Sequence, residues 1–258
     1  MSDSLITRNR RLLLELCAGG IEDVHLAARL AVDRIELNCG MAVGGLTPPA
    51  GLVNAAREIF AGPVISMIRP REGGFCYSTA EHLQMQHDAE WMLENGINGL
   101  AVGFLTSTGM IDMDRCFGFR RLFPTTELVF HKAFDVTPDL ETSVRQLVDC
   151  GFNRILTSGG MSTAFQGISR LAELIKMAAA EIEILPGGGI RAGNVEDLFH
   201  MTGCNQIHSA VRSVMRDPST RHNEGFQFGI PGGDSGSFSL ASAAQLQELL
   251  NVMDQLQT

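Results

Sequence analysis

The sequence predicts one α/β domain, a single (β/α)8 barrel of the TIM type, and three observations carry that prediction. Eight short apolar runs recur along the chain, and seven of them are followed promptly by a stretch with helical spacing. Such alternation implies parallel strands, and eight units within about 200 residues suit a closed barrel with short connections. The fingerprint of the open, dinucleotide-binding alternative is missing, because Cys17-Ala18-Gly19-Gly20 after the first strand lacks the full G-x-G-x-x-G. The barrel is expected over residues 12–212 and a loop with a terminal helix over 213–258. No linker or composition shift marks a second domain, so the whole of 1–258 reads as one unit.

The elements follow in order. Leu12 to Cys17 is the first strand, and Ile21 to Ala31 places Ile21, Val24, His25 and Ala28 at helical spacing. Arg34 to Asn38 is the second strand. Glu15-Leu16-Cys17 and Glu36-Leu37-Asn38 share parity, so both glutamates are expected at equivalent places near the ends of neighbouring strands. A loop rich in glycine and proline, Gly40 to Pro49, leads to a helix over Ala50 to Phe60. Pro63 to Arg69 is the third strand, followed by the loop Glu72 to Tyr77. Ser78 with Glu81 forms a capping box for a helix reaching Asn95. Gly99 to Leu105 is the fourth strand, Asp112 to Phe123 a short helix, and Glu127 to His131 the fifth strand, running out through Lys132 to Asp135. Thr137-Pro138-Asp139 starts the next helix, with proline in its first turn and Gly151 past its end.

Asn153 to Thr157 is the sixth strand, closed by Ser158-Gly159-Gly160, with a helix from about Thr163 to Ala180. Ile182 begins the seventh strand, which breaks at Gly187-Gly188-Gly189, and Asn194 is the expected cap of the helix beyond. Gln206 to Ser209 is the eighth strand. From Arg212 to Phe238 the pattern fails and a long mobile loop is expected. Ser239 then caps a final amphipathic helix carrying Leu240, Leu246, Leu249, Leu250 and Met253.

Composition narrows the function. The 258 residues include 20 Lys+Arg and 29 Asp+Glu, a net charge of −9. An acidic chain of this kind argues against nucleic-acid partners and anionic membranes. No apolar run approaches the ~18 residues of a membrane helix, and the polar segment Met1 to Arg11 has no secretory signal, so a cytoplasmic location is expected. The six cysteines are scattered, with no C-x-x-C pair, and Cys116, Cys150 and Cys204 read as small buried apolar residues.

In a barrel the C-terminal strand ends form one mouth, where ligands bind. Glu15, Glu36, Arg69, His131 and His208 gather there as candidates for acid–base chemistry, since paired carboxylates beside histidines push one another's pKa values apart. An anion would dock on backbone amides and small polar side chains at Ser158, Gly159, Gly187, Gly188, Gly189 and Ser209. Cys17 and Cys39 lie at adjacent strand ends and would offer thiolates to Cu(I) or zinc, with His131, His208 or Met41 in support. The bland alternative is a ring of Glu15, Glu36, Arg69 and His131 that only closes the barrel top.

At these residues the sequence resembles the CutC family, described as copper homeostasis proteins. The matching elements run in order: Leu14-Glu15-Leu16-Cys17, Asp33-Arg34-Ile35-Glu36-Leu37, Gly44-Gly45-Leu46-Thr47-Pro48, Ile68-Arg69-Pro70-Arg71, Gly74-Phe75-Cys76-Tyr77-Ser78, Phe130-His131-Lys132-Ala133-Phe134-Asp135, Arg154-Ile155-Leu156-Thr157-Ser158-Gly159, Pro186-Gly187-Gly188-Gly189-Ile190 and His208-Ser209-Ala210. The resemblance implies a TIM-type barrel in the cytoplasm that binds Cu(I) through cysteines near the first two strand ends. The partners expected are therefore a metal ion or a small anionic molecule, and a homo-oligomer is compatible with either. Two departures stand out. The family often has cysteine directly after the second Glu-Leu, whereas Asn38 stands here and Cys39 follows, a shift that reverses side-chain direction on a strand. Lys132 also replaces the usual arginine after His131. The alternative function is a TIM-barrel enzyme of lyase, isomerase or hydrolase type, acting on a phosphorylated or carboxylated small molecule.

Overall fold

The computed structural model describes residues 11–222 and 225–256. The expected polar segment without a secretory signal lies almost wholly outside them. Eight parallel strands run β1 (Leu13–Ala18), β2 (Arg34–Leu37), β3 (Val64–Met67), β4 (Gly99–Val102), β5 (Glu127–Phe130), β6 (Arg154–Thr157), β7 (Glu183–Pro186) and β8 (Gln206–Ser209). Each pairs with its sequence neighbours, β1 also pairs with β8, and a parallel bridge between Gly187 and His208 closes the ring. Seven helices alternate with them: α1 (Ile21–Arg29), α2 (Ala50–Ile59), α3 (Thr79–Glu94), α4 (Met113–Leu122), α5 (Leu140–Asp149), α6 (Ile168–Ala178) and α7 (Ala192–Thr202).

Two cores follow from the alternation of side chains along each strand. Leu14, Leu16, Ile35, Leu37 and their counterparts pack outward against the helices. Ile65, Met67, Ala101, Val129, Leu156 and Leu185 form a separate apolar plug inside the barrel. Below that plug lies a layer the apolar strand reading did not anticipate. Arg154 pairs with Glu127 and Glu183, Gln206 donates to Glu183, and Arg34 donates to Gln206 and Glu15. These lumen charges pair with one another, which offsets their loss of water.

The capping box of α3 is present as expected, with Ser78 accepting from Glu81 N–H and Glu81 accepting from Ser78 N–H. Other boundaries move. Asp139 caps α5, so Pro138 precedes the helix, and α6 begins at Ile168 because residues 163–167 form turns. Arg191 is the N-cap of α7, and Asn194 reaches back to accept its N–H at 2.8 Å. The predicted loop over 212–238 contains β9 (Arg212–Arg216), which pairs antiparallel with β10 (Ser237–Ala241). Ser239 therefore sits in a strand, and Ser242 caps the last helix, α8 (Ala243–Gln255). Buried Asp23 on α1 ties this hairpin to the barrel, accepting from Arg212 at 2.6 Å and from Ala241 N–H at 2.8 Å. Helix α8 lies against α7 and buries Leu246, Leu249 and Met253. No helix among the described residues is long and apolar enough to cross a membrane.

Candidate functional site

The C-terminal ends of the strands surround a cavity of about 360 Å³, lined by Cys17, Glu36, Arg69, His131, His208 and the Gly188-Gly189 turn among others. Its two sides differ in chemistry.

On the side of β1, β2 and β8, three buried groups converge. Cys17, Glu36 and His208 each present one ligand atom, and those atoms lie within 4.8 Å of one another. The strand register explains the meeting. It pairs Cys17, not Glu15, with Glu36, because neighbouring barrel strands are staggered. Glu15 consequently sits one layer deeper, opposite Arg34 and His208, and does not line the cavity. The expectation that Glu15 and Glu36 occupy equivalent places is corrected by that stagger. Glu15 instead accepts from Arg34 and contacts His208 Nδ1 at 2.8 Å. Burial alone would raise the Glu15 pKa, but the His208 hydrogen bond and the Arg34 charge outweigh it and hold the carboxyl at about 2. For His208 burial opposes charging, yet hydrogen bonds with Cys17 and Glu15 and the Glu36 charge carry its pKa well above the usual imidazole value. Burial pushes both the Cys17 thiol and the Glu36 carboxyl up.

Asn38 takes the inward position that alternation assigns to it. Its Nδ2 donates to Glu36 Oε2 at 2.8 Å and faces Cys17 Sγ at 3.5 Å. Cys39, one residue on, faces the other way. Its thiol lies 3.1 Å from the Thr47 carbonyl, and it lines a different cavity with Pro48 and Trp91. Cys17 and Cys39 are therefore not brought together, and the partners of Cys17 are a carboxylate and an imidazole. Met41 does line the mouth.

On the side of β3 and β5 stand Arg69 and His131. Arg69 is held by the carbonyls of Val43, Gly45 and Gly73, at 2.9, 2.8 and 2.7 Å. The Phe75 ring lies 5.3 Å below its guanidinium carbon and 5.1 Å from the His131 ring. His131 Nδ1 accepts from Ala133 N–H at 3.2 Å, so the proton of the neutral ring is on Nε2. Burial, reinforced by the Arg69 charge, lowers the His131 pKa to about 3. Gly103 makes the ring's position available, since a Cβ there would lie 2.3 Å from His131 Cε1. Four buried polar atoms of residues that line this cavity have no hydrogen-bond partner among the described residues: Glu36 Oε1, Asn38 Oδ1, Arg69 Nε and His131 Nε2. The self-satisfied ring of Glu15, Glu36, Arg69 and His131 is thus not what forms.

The glycine turns divide. Asp135 occupies the turn after β6, accepting from Ser158 N–H at 3.1 Å, from Gly160 N–H at 2.9 Å and from Ser158 and Thr157 hydroxyls. Gly159 N–H donates to Thr157 Oγ1 at 2.9 Å. The amides of Ser158 and Gly159 are therefore already engaged by the protein. Gly187 N–H donates to the Thr157 carbonyl and Ser209 Oγ to the Ile190 carbonyl, so both hold neighbouring segments together. Gly188 and Gly189 remain on the cavity wall at φ +109° and +70°, and among the described residues neither N–H donates to a protein acceptor. Lys132 joins them there, its ammonium 2.7 Å from Asp135 and 3.5 Å from where a Gly188 Cβ would stand. Met67 and Phe75 complete the apolar walls; nothing in their spacing set them apart from ordinary core residues.

The CutC family model matches residues 12–213. A Treponema denticola relative described as a family protein CutC is 40% identical over 220 residues, covering 85% of this chain and 89% of its own. A human relative described as a copper homeostasis protein cutC homolog is 36% identical over 202 residues, covering 78% of this chain and 74% of its own. A Streptococcus agalactiae crystal structure, described as a candidate copper homeostasis protein CutC, superposes with a TM-score of 0.73 at 35% identity, covering 77% of this chain and 98% of that one.

Proposed function

The chain belongs to the CutC family, and on that footing we propose that it serves copper homeostasis by binding Cu(I) at Cys17 and His208, with Glu36 alongside. One observation carries this reading: a thiol, an imidazole and a carboxylate present ligand atoms within 4.8 Å of one another in the mouth. The donor set fits, because thiolate and imidazole are ligands that Cu(I) accepts. His208 is also prepared for the task. Its Nδ1 is held by Glu15, which fixes the ring and leaves Nε2 toward Cys17 and Glu36, as outer carboxylates orient ligating histidines. Binding would release the Cys17 and His208 protons, so affinity should rise with pH. A reducing cytoplasm suits the six free cysteines. The test is titration of reduced protein with Cu(I) against a competing chelator. Cys17→Ser should weaken binding by more than about tenfold, since loss of even an outer-shell partner costs that much, and Cys39→Ser should leave it unchanged. Unchanged affinity in Cys17→Ser would reject the site.

A second reading is favoured by the size of the cavity and by its unpaired polar walls. A space of about 360 Å³ exceeds what a metal ion needs and falls in the range of small-molecule sites. In this reading the barrel is an enzyme of lyase, isomerase or hydrolase type acting on a phosphorylated or carboxylated small molecule, with Glu36 and His208 as proton carriers. Turnover of a candidate substrate that is lost in Glu36→Gln tests it.

A further inference from the structure

We propose that the mouth binds a small hydroxylated oxyanion with two acidic ends. Its phosphate or carboxylate sits at Lys132, Gly188 and Gly189, a second carbonyl or carboxylate oxygen lies between His131 Nε2 and Arg69 Nε, and a hydroxyl faces Glu36 and Asn38. The proposal rests on the second reading above and is independent of copper.

Buried N–H donors and oxygens almost always have partners, so four orphans carried by residues that line one cavity point to a bound molecule that supplies them. Two of these orphans are donors. The His131 proton is placed on Nε2 by the bond from Ala133 N–H to Nδ1, and the other guanidinium nitrogens of Arg69 are engaged by three carbonyls. Phe75 packs against both side chains and holds them on the same wall. A neutral imidazole N–H beside a guanidinium N–H is a receptor for a carbonyl or carboxylate oxygen. The other two orphans, Glu36 Oε1 and Asn38 Oδ1, are oxygens that would accept from a ligand hydroxyl.

The anionic end is placed independently. Gly188 and Gly189 line the cavity in the turn after β7, and among the described residues neither amide N–H has a protein acceptor; N–H groups of such turns hold anions. Lys132 brings its ammonium beside Gly188; it donates there to Asp135 at 2.7 Å and to Ser158 Oγ at 2.6 Å, and its third N–H is the one left for a ligand. Its neighbour turn cannot serve, because Asp135 already fills it.

3-Phosphoglycerate carries all three features and is the probe; glycerol 3-phosphate, which lacks the carboxylate, and inorganic phosphate are its controls. Dissociation constants are measured by calorimetry on the wild type, His131→Phe and Lys132→Met. The wild type should bind 3-phosphoglycerate at least about tenfold more tightly than glycerol 3-phosphate, the worth of hydrogen bonds to a charged group. His131→Phe should bring the two affinities together while leaving phosphate binding intact, and Lys132→Met should weaken all three ligands. As a check independent of variant folding, the His131 Nε2–H proton resonance of the wild type should shift on adding 3-phosphoglycerate and not on adding phosphate. If His131→Phe discriminates the two probes as the wild type does, or that resonance does not move, the His131–Arg69 subsite is wrong while the anion site stands. If none of the three probes binds the wild type, the anion site and the small-molecule reading fall together.

Discussion

Replacing His131 with phenylalanine should flatten the acid side of the protein's stability profile. The ring is buried and neutral, and its pKa falls from 6.5 in the unfolded chain to about 3 in the fold. Between those values the unfolded state binds a proton that the folded state refuses. Stability is therefore lost as the pH falls below 6.5, and the loss is complete only near pH 3. The slope is at most about 1.4 kcal/mol per pH step. From pH 7 to pH 5 this one group removes about 2 kcal/mol. Other groups titrate in the same window, His208 with the opposite sign, because its raised pKa favours the fold at low pH. The informative quantity is therefore the difference between wild type and His131→Phe. Phenylalanine also leaves Ala133 N–H without its acceptor, but that cost does not vary with pH. Urea unfolding at pH 7, 6 and 5 should show the wild type losing about 2 kcal/mol more than the variant. Parallel losses would refute the buried neutral imidazole.

Three further outcomes follow from the packing. Ser242→Ala should cost about 1 kcal/mol of stability by removing the α8 cap, whereas Ser239→Ala should stay within about 0.5 kcal/mol, both measured by urea unfolding. Leu185→Ala should cost about 2–5 kcal/mol in the same assay, because it empties part of a closed plug that has little freedom to collapse. Gly103→Ala would drive a Cβ to 2.3 Å from the His131 ring; it should destabilise by about 1–3 kcal/mol and move the His131 ring resonances, and unchanged histidine spectra would contradict the placement of that ring.

The barrel could be read from the sequence because its evidence is local. Apolar runs such as Leu128-Val129-Phe130, helical spacing between them and a capping box such as Ser78–Glu81 each involve residues a few positions apart. The same holds for the gathering of Cys17, Glu36, Arg69, His131 and His208 at one mouth, since parallel strands of similar length must end on the same side. Alternation along one strand also makes Asn38 and Cys39 face opposite ways, a point the departure from the family pattern already implied.

What tertiary structure alone decided is the pairing between distant segments. Parity says that Glu15 and Glu36 both face inward, but depth depends on the stagger between strands, a property of two segments at once; that stagger sends Glu15 to Arg34 and His208 and leaves Glu36 with Cys17. Whether a glycine turn is open depends on a side chain from elsewhere: Asp135 fills the turn after β6, while among the described residues no side chain accepts from the amides of Gly188 and Gly189. The hairpin of β9 and β10 escaped notice because its strands are separated by the segment 217–236 and are polar and half-exposed, so neither carries the apolar run that marks a barrel strand. Local periodicity records which way a residue faces, and long-range register determines what it meets there.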